Sequence, residues 1–287
     1  MAGRYQSVEV LSLTQFERQT LNDLNGKEWV KSTKSWFIIN ARPRSKKQLQ
    51  HPAKYPEELV QRFVRFFTNK GDWVLDPFAG IGSTLIASKE VYRNSVGIEL
   101  NPDYVETAMR YLEKFGNDMQ SRIIPGDARQ ARELLHQSYE GHIPIFDYLI
   151  TSPPYWDMLR KSRGGNDSVH KERGDKGLPQ FYSNSSLDLG NITEYDKYLD
   201  KLTGILTSLK SLLRPQAYLT MVVQNIRDPD GIMRPLAWDL AAKLSRTYAL
   251  RQEMIWCQDN KRLGCWGYPT TYVSNVHHHY CLILQNV

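Results

Sequence analysis

From Trp73 onward, short runs of β-branched and aromatic residues alternate with stretches whose apolar positions recur every three or four residues. These are the periods of strands and of amphipathic helices. The runs predict seven strands, at 73–76 (WVLD), 95–100 (SVGIEL), 122–126 (RIIPG), 146–151 (FDYLIT), 217–224 (AYLTMVVQ), 251–258 (RQEMIWCQ) and 276–285 (VHHHYCLILQ). Between them the helical period predicts helices over 83–92, 102–115, 128–139, 194–213 and 235–248, with Asn101-Pro102 and Arg234-Pro235 as start signals. Such alternation builds a parallel sheet covered by helices on both faces, so the expected fold is α/β and doubly wound. No long helix separates the last two strands, which are therefore expected to pair antiparallel around a loop at 259–275.

Two segments stand outside this rhythm. Residues 1–50 hold one helical stretch at about 14–24, a strand-like SWFIIN at 35–40 and then a basic run. Residues 156–192 are rich in Gly, Ser, Asn and charge, a composition that buries too little apolar surface to form a core of its own. This second segment follows the fourth strand and so hangs over the carboxyl edge of the sheet, where ligands bind in open α/β folds. The expected organisation is a basic extension, 1–50, ahead of one domain over 51–287 with a substrate-side loop at 156–192.

Composition narrows the class. With 287 residues, 41% of them hydrophobic and 24% charged, the chain can bury a full core and is neither disordered nor fibrous. The longest apolar runs, such as Tyr280 to Leu284, fall far short of the roughly 20 residues that cross a bilayer. Met1 to Val10 lacks a signal-peptide core, so the expectation is a cytoplasmic protein with no membrane partner. Three widely spaced cysteines, Cys257, Cys265 and Cys281, form no disulfide framework. The net charge of +6 is uneven: residues 1–50 and 156–287 are basic, whereas 51–155 carry more acids than bases. Arg42, Arg44, Lys46 and Lys47 make the densest basic cluster, which suits either a polyanion or simple solvation.

The first chemical motif is Asp76-Pro77-Phe78-Ala79-Gly80-Ile81-Gly82-Ser83-Thr84, where a strand ends and a helix begins. Gly80 and Gly82 let the backbone turn tightly and approach a ligand. Leu85 stands where a dinucleotide fingerprint has its third glycine, and no phosphate-gripping lysine follows, which disfavours nicotinamide dinucleotides and nucleoside triphosphates. Glu99, at the end of the second strand, sits where an acidic residue accepts from ribose hydroxyls. Asp127 and Ala128, after the third, add a carboxylate at the same edge, placed to meet an adenine amino group.

The second motif, Thr151-Ser152-Pro153-Pro154-Tyr155-Trp156, ends the fourth strand. Two prolines fix φ and remove two donors, which leaves carbonyls pointing at fixed places and the next ring rigidly held. A planar heterocycle with an exocyclic amine fits such a notch: Ser152 Oγ and the Pro153 carbonyl accept from the amine while Tyr155 stacks on the ring. His277, His278 and His279 do not suggest a metal, because neighbours on a strand point to opposite faces.

Together these segments resemble the S-adenosylmethionine-dependent DNA methyltransferases that modify exocyclic amines, the cytosine-N4 and adenine-N6 enzymes. DPFAGIGST is similar to their cofactor motif, GIELNPDYV to their ribose-binding segment and TSPPYW to their catalytic motif, whose serine-first form is more typical of cytosine-N4 members. His51-Pro52-Ala53-Lys54-Tyr55-Pro56 and the helix-like EELVQRFVRFF resemble the segment that closes over the methionine end of the cofactor; Asp188-Leu189-Gly190-Asn191 and the terminal HHHYCLIL also resemble family segments. The resemblance implies a Rossmann-like fold, S-adenosylmethionine as cofactor and double-stranded DNA as partner, with base flipping and no covalent enzyme intermediate. It implies contacts of Asp76 with the methionine amino group, of Phe78, Gly80, Gly82, Ser83 and Thr84 at the close turn, and of Trp156 with the base.

Two departures stand out: the glycine motif precedes the catalytic one, and no folded target-recognition insert is evident. Recognition is left to 1–50, where Arg42, Arg44, Lys46 and Lys47 are offered to DNA, to 156–192, to 259–275, or to a specificity subunit. The expected function is cytosine-N4 methylation of DNA beside a restriction endonuclease. The alternatives are adenine-N6 methylation, an RNA amino-methyltransferase and a non-catalytic nucleic-acid-binding module.

Overall fold

A computed structural model describes residues 20–40, 55–116, 118–156, 185–228, 231–261, 263–265 and 268–287. Expectations for His51, Pro52, Arg42, Arg44, Lys46, Lys47 and most of 156–192 lie outside the described residues. The described strands are β1 (Trp36–Ile38), β2 (Trp73–Asp76), β3 (Asn94–Glu99), β4 (Ser121–Pro125), β5 (Phe146–Thr151), β6 (Leu213–Val223), β7 (Ile226–Arg227), β8 (Met233–Arg234), β9 (Ala249–Cys257) and β10 (His278–Gln285). The helices are α1 (Gly26–Ser32), α2 (Glu57–Phe67), α3 (Ser83–Glu90), α4 (Pro102–Leu112), α5 (Ala131–Ser138), α6 (Tyr195–Ser208) and α7 (Leu236–Leu244).

Eight strands form one sheet in the order β1-β9-β10-β6-β5-β2-β3-β4, and β7 pairs with β8 as a small hairpin. All neighbours in the large sheet run parallel except β10, which is antiparallel to both β6 and β9. The seven expected strands are all present, each within a few residues of its predicted bounds, and the strand-like SWFIIN supplies an eighth at the edge. Three-residue β1 pairs with β9 through Trp36↔Ile255 to Ile38↔Cys257.

Each face of the sheet buries its own core. On one face α2 turns Leu59, Val60, Phe63, Val64 and Phe67 inward, and Phe67 stacks on Tyr148 and Tyr218 at 5.2 and 4.7 Å. On the other, Leu135 of α5, Leu199, Leu202 and Leu206 of α6, and Leu236 and Leu240 of α7 pack on Leu75, Val96, Leu149, Leu219 and Leu282. This apolar burial is the main force holding helices to the sheet.

The helix expected over 14–24 is corrected where the chain is described, because 20–24 are not helical. Asn22 instead donates from Nδ2 to the Phe66 carbonyl at 2.6 Å and accepts from the Leu24 N–H at 3.0 Å, bonds that compete with a helical ladder. The helix begins after Asn25, whose side chain forms a capping box with Glu28.

Candidate active site

The two motifs meet because β2 and β5 are parallel neighbours, paired Val74↔Tyr148 and Leu75↔Leu149. Their carboxyl ends therefore share one edge, with the glycine turn leaving β2 and the proline pair leaving β5. A cleft of about 820 Å³, open mouth included, lies along this edge. It is lined by Phe78, Gly80 and Ser83 from the first motif, Glu99 from β3, Asp127 and Ala128 after β4, and Ser152 and Pro154 from the second.

The turn is built by positive φ. Gly80 has φ 54° and Gly82, the N-cap of α3, has φ 84°. A Cβ on Gly82 would lie 2.9 Å from Ala108 Cβ, so this glycine serves the close approach of α3 to α4 and is not part of the cleft lining. Leu85, at the position of the absent third glycine, is accommodated from the other side: a Cβ on Gly97 of β3 would come within 2.7 Å of Leu85 Cδ1. The space a helix glycine provides elsewhere is provided here by a strand glycine.

Glu99 holds the turn directly. Its Oε2 accepts from the Gly80 N–H at 2.7 Å and its Oε1 from the Asn101 N–H at 2.8 Å. Burial pushes its pKa up to about 7, against the pull of those two hydrogen bonds. Asp127 caps the 3-10 turn Ala128–Gln130 and is gripped by Arg129, whose Nε lies 2.7 Å from Oδ2. The same guanidinium donates to the Leu187 carbonyl at 3.1 Å and so ties the 187–189 segment, which also lines the cleft, to the turn after β4.

Asp76 departs from expectation. Its carboxylate is fully buried (0% exposed) and does not line the cleft. Oδ1 accepts from the Phe78 N–H (3.0 Å) and Thr151 Oγ1 (2.6 Å), and Oδ2 from Thr84 Oγ1 (2.5 Å) and Tyr55 OH (3.1 Å). Burial raises its pKa while the four donors favour the charged form. Thr84 is likewise fully buried and turned toward Asp76. These bonds join β2, β5, α3 and the residue before Pro56 through Asp76.

Tyr155 and Trp156 are buried. They are 6% and 5% exposed, so neither displays an open stacking face. Their polar tips find partners inside: Tyr155 OH donates to the Val222 carbonyl at 3.2 Å and Trp156 Nε1 to the Thr193 carbonyl at 3.2 Å. Pro153 is buried, whereas Ser152 and Pro154 are partly exposed. At the start of β10 the histidines divide as strand alternation requires, His278 lying 5.3 Å from Tyr280 and His279 stacking on Trp256 at 4.5 Å. Burial, and then Lys261 and His278, push the His279 pKa down to about 3, so the ring is neutral.

Sequence reading missed Arg129 and Leu187 as site residues, and took in Tyr55, Asn101 and Tyr104 only as members of the segments His51–Pro56 and GIELNPDYV. Asn101 also carried a signal of its own, the Asn-Pro helix start, which Asn101 Oδ1 completes by accepting from the Asp103 N–H at 3.0 Å.

The residues present fit S-adenosylmethionine. A glycine turn opens the cleft, two carboxylates stand at the ends of β3 and β4, and Phe78, Ile98, Leu100 and Leu189 give it apolar walls. Fold and site thus define a Rossmann-like α/β domain with a cofactor-sized cleft at the carboxyl edge of its parallel strands. Residues 6–110 match the family of N6 and N4 DNA methylases. The chain is 38% identical over 96 residues to the type II methyltransferase M.BglI of Bacillus subtilis and 36% identical over 98 residues to M.MthZI of Methanothermobacter thermautotrophicus, in each case covering 33% of this chain. The matched stretches span 26% and 28% of those relatives' own lengths. Among solved structures, an rRNA methylase from Streptococcus thermophilus aligns over 82% of this chain and 98% of its own, at 9% identity and a TM-score of 0.46. Over these stretches the chain is similar to the amino-methyltransferases, a family that takes in both the N6 and the N4 enzymes.

Proposed function

We propose that the protein methylates DNA at the exocyclic N4 of a cytosine rotated out of the duplex, with S-adenosylmethionine as methyl donor. The observation that carries this reading is the shared cleft: Gly80 and Ser152, from motifs more than seventy residues apart, line one cavity. The serine-first form of the second motif favours cytosine N4 over adenine N6.

When bound, the cofactor supplies a methyl group on a positively charged sulfur, and the carbon passes to the amine while its bonding pair stays with sulfur. The chain's own contribution is positioning and electrostatics. Glu99 accepts from the ribose hydroxyls, Asp127 from the adenine amino group, and the Phe78–Gly80 backbone gives close approach. Asp76 holds these corners in register rather than touching the ligand. Ser152 Oγ and the Pro153 carbonyl accept from the two N–H groups of the amine, which localises its lone pair and stabilises positive charge on nitrogen as the bond forms. One amine proton then leaves to water. His51 and Pro52 close over the methionine end, Arg42, Arg44, Lys46 and Lys47 meet DNA phosphates, and a restriction endonuclease or a specificity subunit accompanies the protein.

Sequencing that maps modified bases in DNA from a host expressing the protein tests the reading. N4-methylcytosine in a fixed sequence context is the expected result. N6-methyladenine instead would reassign the base, and unmodified DNA would overturn the proposal.

A further inference from the structure

We propose that the Tyr155 hydroxyl sets the direction of the Ser152 hydroxyl, so that the serine shows the target amine acceptor lone pairs and no proton. This rests on the amine-methylation reading above and adds a positioning role to it. Tyr155 OH has one proton, and the structure commits it to the Val222 carbonyl at 3.2 Å. Val222 lies on β6 one residue past Met221, the last partner of β5. Ser152 Oγ lies 3.3 Å from the same phenol oxygen. With the phenol proton given to Val222, the hydrogen bond between the two hydroxyls requires Ser152 to donate. Its own proton therefore points inward, and its two lone pairs are left for the cleft that Ser152 lines.

The chemical consequence follows from what a free serine hydroxyl can do. It donates as readily as it accepts, and donation to the amine nitrogen would occupy the lone pair that must attack carbon. The chain Ser152 to Tyr155 to Val222 removes that competing state. The two intervening prolines fix the geometry of the three-residue step from Ser152 to Tyr155. Burial raises the Tyr155 pKa, which keeps the phenol protonated and the chain intact.

The test is a set of double-mutant cycles read as kcat and KM for methyl transfer from tritiated S-adenosylmethionine to genomic DNA of a strain without methyltransferases. Tyr155→Phe keeps the ring and removes the hydroxyl; melting temperature and calorimetric affinity for S-adenosylhomocysteine check that fold and cofactor site are retained. It is expected to lower kcat about ten-fold, the scale of one hydrogen bond, with cofactor KM unchanged. In Ser152→Ala, where no hydroxyl remains to orient, and in Ser152→Asp, whose carboxylate has no proton to misdirect, the same change is expected to cost nothing further. No loss in the wild-type background, or an equal loss in all three, would overturn the orienting role and leave the functional reading intact. A wild-type protein that transfers no label to DNA overturns that reading and the inference with it.

Discussion

At the scale of single residues, the protonation of Glu99 decides how the cleft responds to pH. Its pKa of about 7 in the folded chain lies above the ordinary value of 4.5. The protonated form is therefore favoured by folding, so this group's contribution to the stability of the ligand-free protein is fully present below pH 4.5 and lost as pH rises through 7. If Glu99 accepts from ribose hydroxyls as proposed, cofactor binding runs the other way, because the ionised carboxylate is the stronger acceptor. Affinity for S-adenosylhomocysteine, measured by calorimetry from pH 5.5 to 8.5, is expected to rise through pH 7 and then level. Glu99→Gln is expected to flatten the profile and weaken binding by roughly one to two orders of magnitude, as loss of a charged hydrogen-bond acceptor does. The placement of Glu99 and Asp127 on the cleft was legible in the sequence because acids at or just past the end of a parallel strand reach the sheet edge whichever way the helices pack. Asp76 was not. Its surroundings are Tyr55, Thr84 and Thr151, three hydroxyls from separate segments that only the folded sheet brings together.

Elements carry the next level of control, since the turn after β2 is shaped by its neighbours. Gly97→Ala would place a Cβ 2.6 Å from Ala79 Cβ and 2.7 Å from Leu85 Cδ1. Overpacking of this kind costs about 1–3 kcal/mol. Because Ala79 belongs to the turn, the variant is expected to lose cofactor affinity as well as melting temperature, whereas Gly71→Ala, whose Cβ meets nothing within 4 Å, is expected to lose only the modest stability that its φ of 83° implies. Asp76→Asn leaves one donor facing the hydroxyls of Tyr55 and Thr84 or Thr151. A loss of about 1–3 kcal/mol in chemical denaturation is expected. Most elements could be read from period alone. Edge strand β1 could not be placed, because three residues show no period and its partner β9 lies more than two hundred residues away. Helix α1 escaped for a related reason: its seven residues bury none of their side chains and so lack an apolar stripe.

For the whole molecule, topology brings the two motifs together at the carboxyl edge of the sheet. The net-acidic stretch 51–155 supplies Gly80, Glu99, Asp127 and Ser152 to the cleft, and the segments before and after it in sequence are net basic. If Arg42, Arg44, Lys46 and Lys47 meet phosphates, replacing all four by alanine lowers the slope of log affinity against log salt by up to about 0.9 for each phosphate no longer neutralised. An unchanged slope removes that segment from the DNA interface. The order β6-β5-β2-β3 puts both motifs at the centre of the sheet, where the strands leave a crevice. The chemistry proposed for this crevice is methyl transfer to an exocyclic nitrogen, governed by Ser152. The direct measurement is a nucleoside digest of duplex DNA incubated with purified protein and methyl-labelled S-adenosylmethionine. Label in N4-methylcytosine, sharply reduced by Ser152→Ala, is the predicted result; label on ring carbon as 5-methylcytosine, or undiminished label in Ser152→Ala, would contradict it.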